Sequence, residues 1–511
     1  MYSIVSTASI HGVLSMIVQV EADVCSGLPA FEMVGFLSSQ VREAKERIRA
    51  AIRNAGVLLP PKRITINLCP ADVKKNGTGF DLPIALAVLS AYGIVPHQRL
   101  KETLFVGEIT LNGELRPVKG MLPMALEAQK AGFTKAVVPK ENAWEAGFAQ
   151  NLKVYPVSAL SEVIGFLKGE ILTENPPINI EKTQSMAATA VDFSQINGQY
   201  MLRRACEVAA AGMHNILMTG PPGTGKTLAA NAMASILPPL MEEEMMELAG
   251  IYSVSGLFAE RREQLYQRPF RSPHDSVTRS ALLGGGRVPK PGEISLAHKG
   301  ILFLDELTEY EKPLLEQLRQ PLEERCIRLV RQTGTYCYPA DFILVAAMNP
   351  CGCGYYPNRE KCTCTPGQIR QHLAKVSRPL LDRMDLTVEA PKVKIEELVQ
   401  KKENESSQDI RERVQRAHEI QKRRFQKESC NYNGRMEPGQ LRRFCPMDPG
   451  AKGQLTQAYE ALDLSARAYH RLVRVARTIA DLEGSEEIKE HHMEEALLYR
   501  NMDGTSWRMR L

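Results

Sequence analysis

Apolar and polar positions along the 511-residue chain repeat in two registers. Within residues 39–54, Val41, Ala44, Ile48, Ala51 and Ile52 recur at i, i+3, i+7, i+10 and i+11, which places them on one face of a helix. Strand-like runs stand around it, at residues 15–21 and 63–68. Further along, Ile216-Leu217-Met218, Ile301-Leu302-Phe303-Leu304 and Phe342-Ile343-Leu344-Val345-Ala346-Ala347-Met348 are short continuous apolar runs. Runs of this kind predict strands buried in a parallel sheet. Helices are expected over residues 198–212, 313–324 and 465–482. In the last, Tyr469, Leu472, Val473, Ala476, Ile479 and Ala480 make one apolar face, with Arg467, Arg471, Arg474 and Arg477 mostly off it. Residues 327–338 read as a hairpin turning near Thr333 and Gly334.

The pattern divides the chain into an α/β protein of several units. Residues 1–170 form a mixed α/β domain, 171–191 a linker marked by Asn175-Pro176-Pro177, 192–395 an α/β core and 396–511 a helical, basic tail.

The chemistry concentrates in the core. Gly220-Pro221-Pro222-Gly223-Thr224-Gly225-Lys226-Thr227 fits G-x-x-x-x-G-K-[ST], with an apolar run before it and a helix-compatible run after it. Such a loop wraps backbone N–H groups around phosphates, aided by the positive end of the helix. Lys226 then meets the β and γ oxygens of ATP, and the Thr227 hydroxyl is offered to Mg²⁺. The run at 301–304 ends in Asp305 and Glu306, one acid for the metal and one to polarise a water. Asn349 ends the neighbouring apolar run and can orient that water, although an Asn before Pro350 also suits a plain turn.

Four cysteines follow as C-x-C-x8-C-x-C: Cys351, Cys353, Cys362 and Cys364. Four thiolates in paired spacing can close a tetrahedral Zn²⁺ site with no open position, hence a structural one; four unrelated thiols are the alternative. Arg383, in Pro379-Leu380-Leu381-Asp382-Arg383, is too far along the chain to reach its own phosphate easily. In a ring it can reach the neighbour's nucleotide and stabilise the transferring phosphoryl group, or else form an Arg–Asp pair within its own chain. Between the two nucleotide motifs, residues 237–299 form a long insert whose second half carries Arg261, Arg262, Arg268, Arg271, Arg279, Arg287 and Lys290. A DNA-facing element and a solvated charged loop both fit that composition.

Bulk properties change this picture little. Charged residues are 24% and hydrophobic ones 44%, an ordinary globular balance, and the net charge of +5 permits a polyanionic partner. Seven of the eleven cysteines are scattered singly, which fits a reducing compartment. Residues 1–8 have no basic region leading into an apolar core, and no run reaches membrane-spanning length, so a cytoplasmic protein with no membrane partner is expected.

Two resemblances add to this reading. Residues 107–142, from Gly107-Glu108-Ile109-Thr110-Leu111 through Lys135-Ala136-Val137-Val138-Pro139, resemble the peptidase domain of Lon proteases. The positions matching that family's serine and lysine are Gly79 and Leu122, which supply neither a hydroxyl nor an amine, so an ATP-dependent protease is excluded. Over nearly its full length the chain resembles the magnesium-chelatase-like AAA+ ATPases of the ComM/YifB group. Residues 292–307, Met348-Asn349-Pro350-Cys351-Gly352-Cys353-Gly354 and Pro379 to Arg383 carry this second likeness. It implies a hexameric, ATP-driven DNA motor acting on single-stranded or branched DNA, linked to branch migration in natural transformation. It further implies Asn349 as sensor 1, Arg383 as arginine finger and Arg467 as sensor 2. By likeness to MCM helicases, Arg331 on the hairpin is the first candidate for touching DNA, with Arg279 and Arg287 next. A chelatase-type motor remodelling a protein partner is the alternative; such subunits look shorter, without the front domain or the four-cysteine segment.

Overall fold

The structure is a computed structural model that describes residues 1–176, 191–332, 334–393, 404–428 and 430–500. The loop residue Thr333 and most of the expected linker lie outside the described residues.

The front of the chain builds a seven-stranded mixed sheet, ordered Ala30–Val34, Arg63–Cys69, Leu14–Cys25, Tyr2–His11, Thr103–Phe105, Lys135–Pro139 and Lys153–Val157. The helix Ser39–Asn54 buries the five residues that its periodicity selects. The helix Asp81–Ala91 is buried on every side, and its apolar residues fill the core beneath the sheet. Asp81 is the charge admitted there, gripped by Arg47 Nε at 2.9 Å and Nη2 at 3.0 Å. Burial raises its pKa even so.

The second unit is a five-stranded parallel sheet, ordered Phe270–Arg271, Ile301–Leu304, Ile343–Met348, Ile216–Thr219 and Leu386–Glu389. Every residue of its three central strands is buried, as continuously apolar runs require. One face is covered by helices Tyr200–Gly212 and Lys226–Ile236 and by C-terminal helices Ser407–Arg424 and Ala466–Glu483, within one apolar cluster. The opposite face packs against the helices and hairpin of residues 307–340. The expected helix at 313–324 is broken into Lys312–Glu316 and Arg319–Glu324. The hairpin pairs Cys326–Arg331 with Gly334–Pro339, and Arg331 lies opposite Gly334 at its tip.

The insert is not a surface loop throughout. Its helix Glu242–Ser255 packs on the front unit, where Leu122 and Phe148 join Met245, Leu248, Tyr252 and Phe258 in one apolar cluster. Trp144 packs against Phe148 and Phe258, with the Arg262 guanidinium 4.2 Å from its ring centre. The Gly120 N–H donates to the Ser253 carbonyl across the seam. Two more of the insert's arginines are structural. Arg268 is buried and donates to the Pro238 carbonyl, the Lys299 carbonyl and Glu244, while Arg271 makes a two-pronged pair with Glu293.

The arginines of helix Ala466–Glu483 correct the expectation that they lie off its apolar face. Arg471 and Arg477 are buried and Arg474 nearly so. Arg471 donates to the Leu381 and Met384 carbonyls, Arg474 to the Gly434 carbonyl, and Arg477 to Asp481 and the carbonyls of Ser485 and Glu486. A guanidinium fork satisfies several acceptors at once, so burying it is tolerable where helix and loop carbonyls converge. Arg467 alone of the four keeps a half-exposed side chain.

Candidate nucleotide site

Parallel register brings the candidate residues to one edge. Thr219 pairs with Met348, so the glycine-rich loop and Asn349 leave adjacent strands at the same level. Leu304 pairs with Ala346, which sets Asp305 and Glu306 on the next strand over. Crevices at the carboxyl ends of such strands are the usual ligand sites of parallel sheets.

The loop turns through Gly223 (φ +75°) and Gly225 (φ +88°), a backbone that side chains with a Cβ resist. Helix Lys226–Ile236 follows at once, and its first N–H groups face the loop. The Lys226 ammonium is buried against its own loop, donating to the Gly220 carbonyl at 2.8 Å, the Pro221 carbonyl at 2.9 Å and Asn349 Oδ1 at 3.3 Å. Burial lowers its pKa, opposed by the charges of Asp305 and Glu306. Thr227 Oγ1 donates to Asp305 Oδ2 at 2.7 Å, a hydroxyl and a carboxylate side by side as a hard cation such as Mg²⁺ prefers. Glu306 is exposed, in a left-handed backbone (φ +47°), with its N–H tied to Asp305 Oδ1 at 2.9 Å. Gln199, which no motif marks, donates to the Thr224 carbonyl at 3.0 Å and the Pro391 carbonyl at 2.6 Å and so braces the loop. Its signal was faint: a lone polar residue ahead of a helix.

Arg383 and Arg467 lie elsewhere. Both guanidiniums converge on one carboxylate, Glu323; Arg467 reaches it at 2.6 Å, and Arg383 also holds the Pro379 carbonyl. Neither is among the residues that line the cavity at the glycine-rich loop.

The four cysteine sulfurs lie within 4.8 Å of one another. Cys351 Sγ is 3.3 Å from Cys353 Sγ and 3.8 Å from Cys362 Sγ, and the latter two are 3.6 Å apart. Zn–S bonds of about 2.3 Å in a tetrahedron put sulfurs about 3.8 Å apart, so the set fits zinc. The Tyr355 backbone N–H lowers the pKa of the Cys353 thiol, whereas burial raises that of its neighbour Cys362.

A phosphate-cradling loop, a paired acid strand and an asparagine-tipped strand on one parallel sheet define a P-loop ATPase of the AAA+ class. The chain belongs to the magnesium-chelatase-like family of these ATPases, in the group containing YifB and ComM. The profile of magnesium chelatase, subunit ChlI, matches residues 192–398; those of subunit ChlI of Mg-chelatase and of its C-terminal part match 20–142 and 404–500. The chain is 42% identical to an uncharacterized protein YifB of Salmonella typhimurium, over 98% of this chain and 97% of that one. It is 40% identical to the competence protein ComM of Haemophilus influenzae, over 98% and 97%. The magnesium-chelatase 38 kDa subunit of Cereibacter sphaeroides is 26% identical over 39% of this chain and 58% of its own.

Proposed function

We propose that this protein is an ATP-driven DNA motor, a helicase or translocase assembled as a homo-hexamer, that promotes branch migration of recombining strands during natural transformation. Its units divide at residues 170, 191 and 395, as the sequence pattern suggests. Full-length similarity to a protein named for competence supports the setting. The observation that carries the DNA reading is a pair of neighbouring hairpins with basic, exposed tips. One presents Val330 and Arg331; the other, Gly284–Gly285 paired with Lys290–Pro291, presents Arg287 and Val288. The Arg331 guanidinium reaches to within 3.5 Å of where a Cβ on Gly285 would stand. With Arg268 and Arg271 committed internally and Arg262 stacked on Trp144 at the seam, Arg279, Arg287 and Lys290 are the exposed cations at or beside these tips.

In the ATPase cycle, Lys226 exchanges the carbonyls of its own loop for phosphate oxygens. Thr227 and Asp305 would hold Mg²⁺, which supplies charge neutralisation at the transferring phosphoryl group. Glu306 takes a proton from the attacking water, and Asn349 orients that water. Arg383, parked with Arg467 on Glu323, serves the nucleotide of the adjoining subunit as arginine finger, and Arg467 serves as sensor 2. Cys351, Cys353, Cys362 and Cys364 would hold a structural Zn²⁺. No helix among the described residues is long and apolar enough to cross a membrane.

A motor remodelling a protein partner is the second reading, favoured by the chelatase profiles. DNA binding separates the two. Contacts to phosphate release counterions, so affinity for single strands falls by about 0.7 log units per log unit of salt for each contact. Arg331→Ala is expected to lower that slope in fluorescence anisotropy and to uncouple strand displacement while basal ATPase stays near wild type. An unchanged slope with strand displacement intact would move the assignment to Arg279 and Arg287; no DNA binding at all would favour the protein-remodelling reading.

A further inference from the structure

The four-cysteine segment does not stand apart from the nucleotide site. A cavity of about 1030 Å³ opens beside the glycine-rich loop, with Gly220 to Thr224 on one wall. Tyr355, Tyr356, Pro357, Asn358 and Lys361, all from the stretch between the two cysteine pairs, also line it. The contact is close. A Cβ on Gly354, whose φ is +84°, would lie 2.7 Å from Pro222 Cδ in the phosphate loop. The segment is also anchored at both ends to the strand tip carrying Asn349. Cys351 follows Asn349 by two residues and is buried, and the next helix, Pro366–Leu373, returns His372 to contact the Asn349 carbonyl at 3.1 Å. Within the stretch, the Tyr356 N–H donates to Cys351 Sγ at 3.4 Å, and Arg359 lies over the Tyr356 ring. The wall has no helix or strand of its own between residues 351 and 365. Its shape comes from short turns, closed by N–H groups of Gly354, Asn358 and Cys362, and from the sulfur cluster at its base.

We infer that this segment is a metal-stapled wall of the nucleotide cavity, so that loading the four sulfurs fixes Gly354 to Lys361 against the phosphate loop and sets the affinity for nucleoside triphosphate. The inference rests on the ATPase reading and extends it. Four sulfurs closed around zinc leave no coordination position for chemistry, so the metal acts only by fixing the loop. Without it the loop regains its conformational freedom, and nucleotide binding must then order it at the expense of affinity.

The test uses the full chain, with a fluorescent ATP analogue titrated in the presence of Mg²⁺, zinc measured by metal analysis and integrity checked by thermal melting. The Cys362→Ser variant is expected to lose its zinc and bind the analogue about tenfold or more weakly. Gly354→Ala keeps all four sulfurs but puts a methyl group against Pro222 in a left-handed backbone. It is expected to retain one zinc per chain and still bind the analogue several-fold more weakly, which a zinc site remote from the nucleotide would not produce. Should Cys362→Ser fail to fold, Gly354→Ala decides alone. Wild-type affinity in Gly354→Ala, wild-type affinity in a folded Cys362→Ser, or wild-type protein without zinc overturns the inference. If wild-type binding is lost in Lys226→Ala but unchanged in the other two variants, only the wall is wrong. If the wild-type chain binds no analogue, the ATPase reading fails with it.

Discussion

Lys226→Ala is expected to abolish ATP hydrolysis by removing nucleotide binding, whereas Glu306→Gln binds ATP as well as wild type and stops turning it over. The two side chains differ in what they touch. The Lys226 ammonium is buried, with its protons directed at two loop carbonyls and Asn349. Its position is fixed before substrate arrives, and a triphosphate replaces those acceptors with charged ones, a stronger set. Glu306 is exposed beyond the end of its strand, so its loss leaves the phosphate cradle intact. On the proposed division of roles, what goes is the base for the attacking water, a contribution of about 10²–10⁴ in rate. Thr227 and Asp305 stay paired in the second variant, so it should trap the ATP state. Equilibrium binding of a labelled ATP together with single-turnover hydrolysis checks both. Equal loss of binding in the two variants would sink the division of roles.

The second large effect belongs to Arg383. Arg383→Ala is expected to lose about 10³ or more in hydrolysis rate, as removal of a finger does elsewhere, and to regain activity when mixed with Lys226→Ala subunits. The first variant retains an intact phosphate loop; the second still contributes a guanidinium. Their complementation follows from where Arg383 sits, on Glu323 beside Arg467 and apart from the cavity of its own chain. Two cations on one carboxylate leave a surplus positive charge, and burial already disfavours the charged form of Arg383. In the proposed ring, a neighbour's γ-phosphate presented there would give the pair a second anion. Mixed rings shown to co-assemble yet remaining inactive would remove the finger from Arg383.

The parts of this site that the sequence makes legible are contiguous. A glycine loop flanked by strand and helix, acids ending an apolar run and cysteines spaced in pairs each carry their meaning within about twenty residues, and the sheet had only to align their ends. The convergence on Glu323 joins residues separated by 60 and 144 positions and left no local trace. The arginines of helix Ala466–Glu483 misled for a different reason. Periodicity counts a guanidinium as polar and assigns it to solvent, whereas Arg471 and Arg477 use their donors to close carbonyls inside the fold. The insert was ambiguous because a buried ion pair such as Arg268 with Glu244 has the same composition as a solvated one. The lining by residues 355–361 has no local signal, because paired cysteines mark a metal site and carry no information on what packs beside it.

The seam between the front unit and the insert limits what the front unit can accommodate. The two positions that the Lon-type pattern reserves for serine and lysine differ in how far they stand from that chemistry. A Cβ at Gly79 would meet Val106 and Val118 at 3.4 and 3.5 Å, ordinary contacts, so a serine there is sterically open. Leu122 is fully buried against the helix Glu242–Ser255, and an amine placed there would face desolvation among Leu248, Tyr252 and Phe258. The two positions therefore differ in what they admit: Gly79 has room for a hydroxyl, whereas an amine in place of Leu122 would have to part the two units.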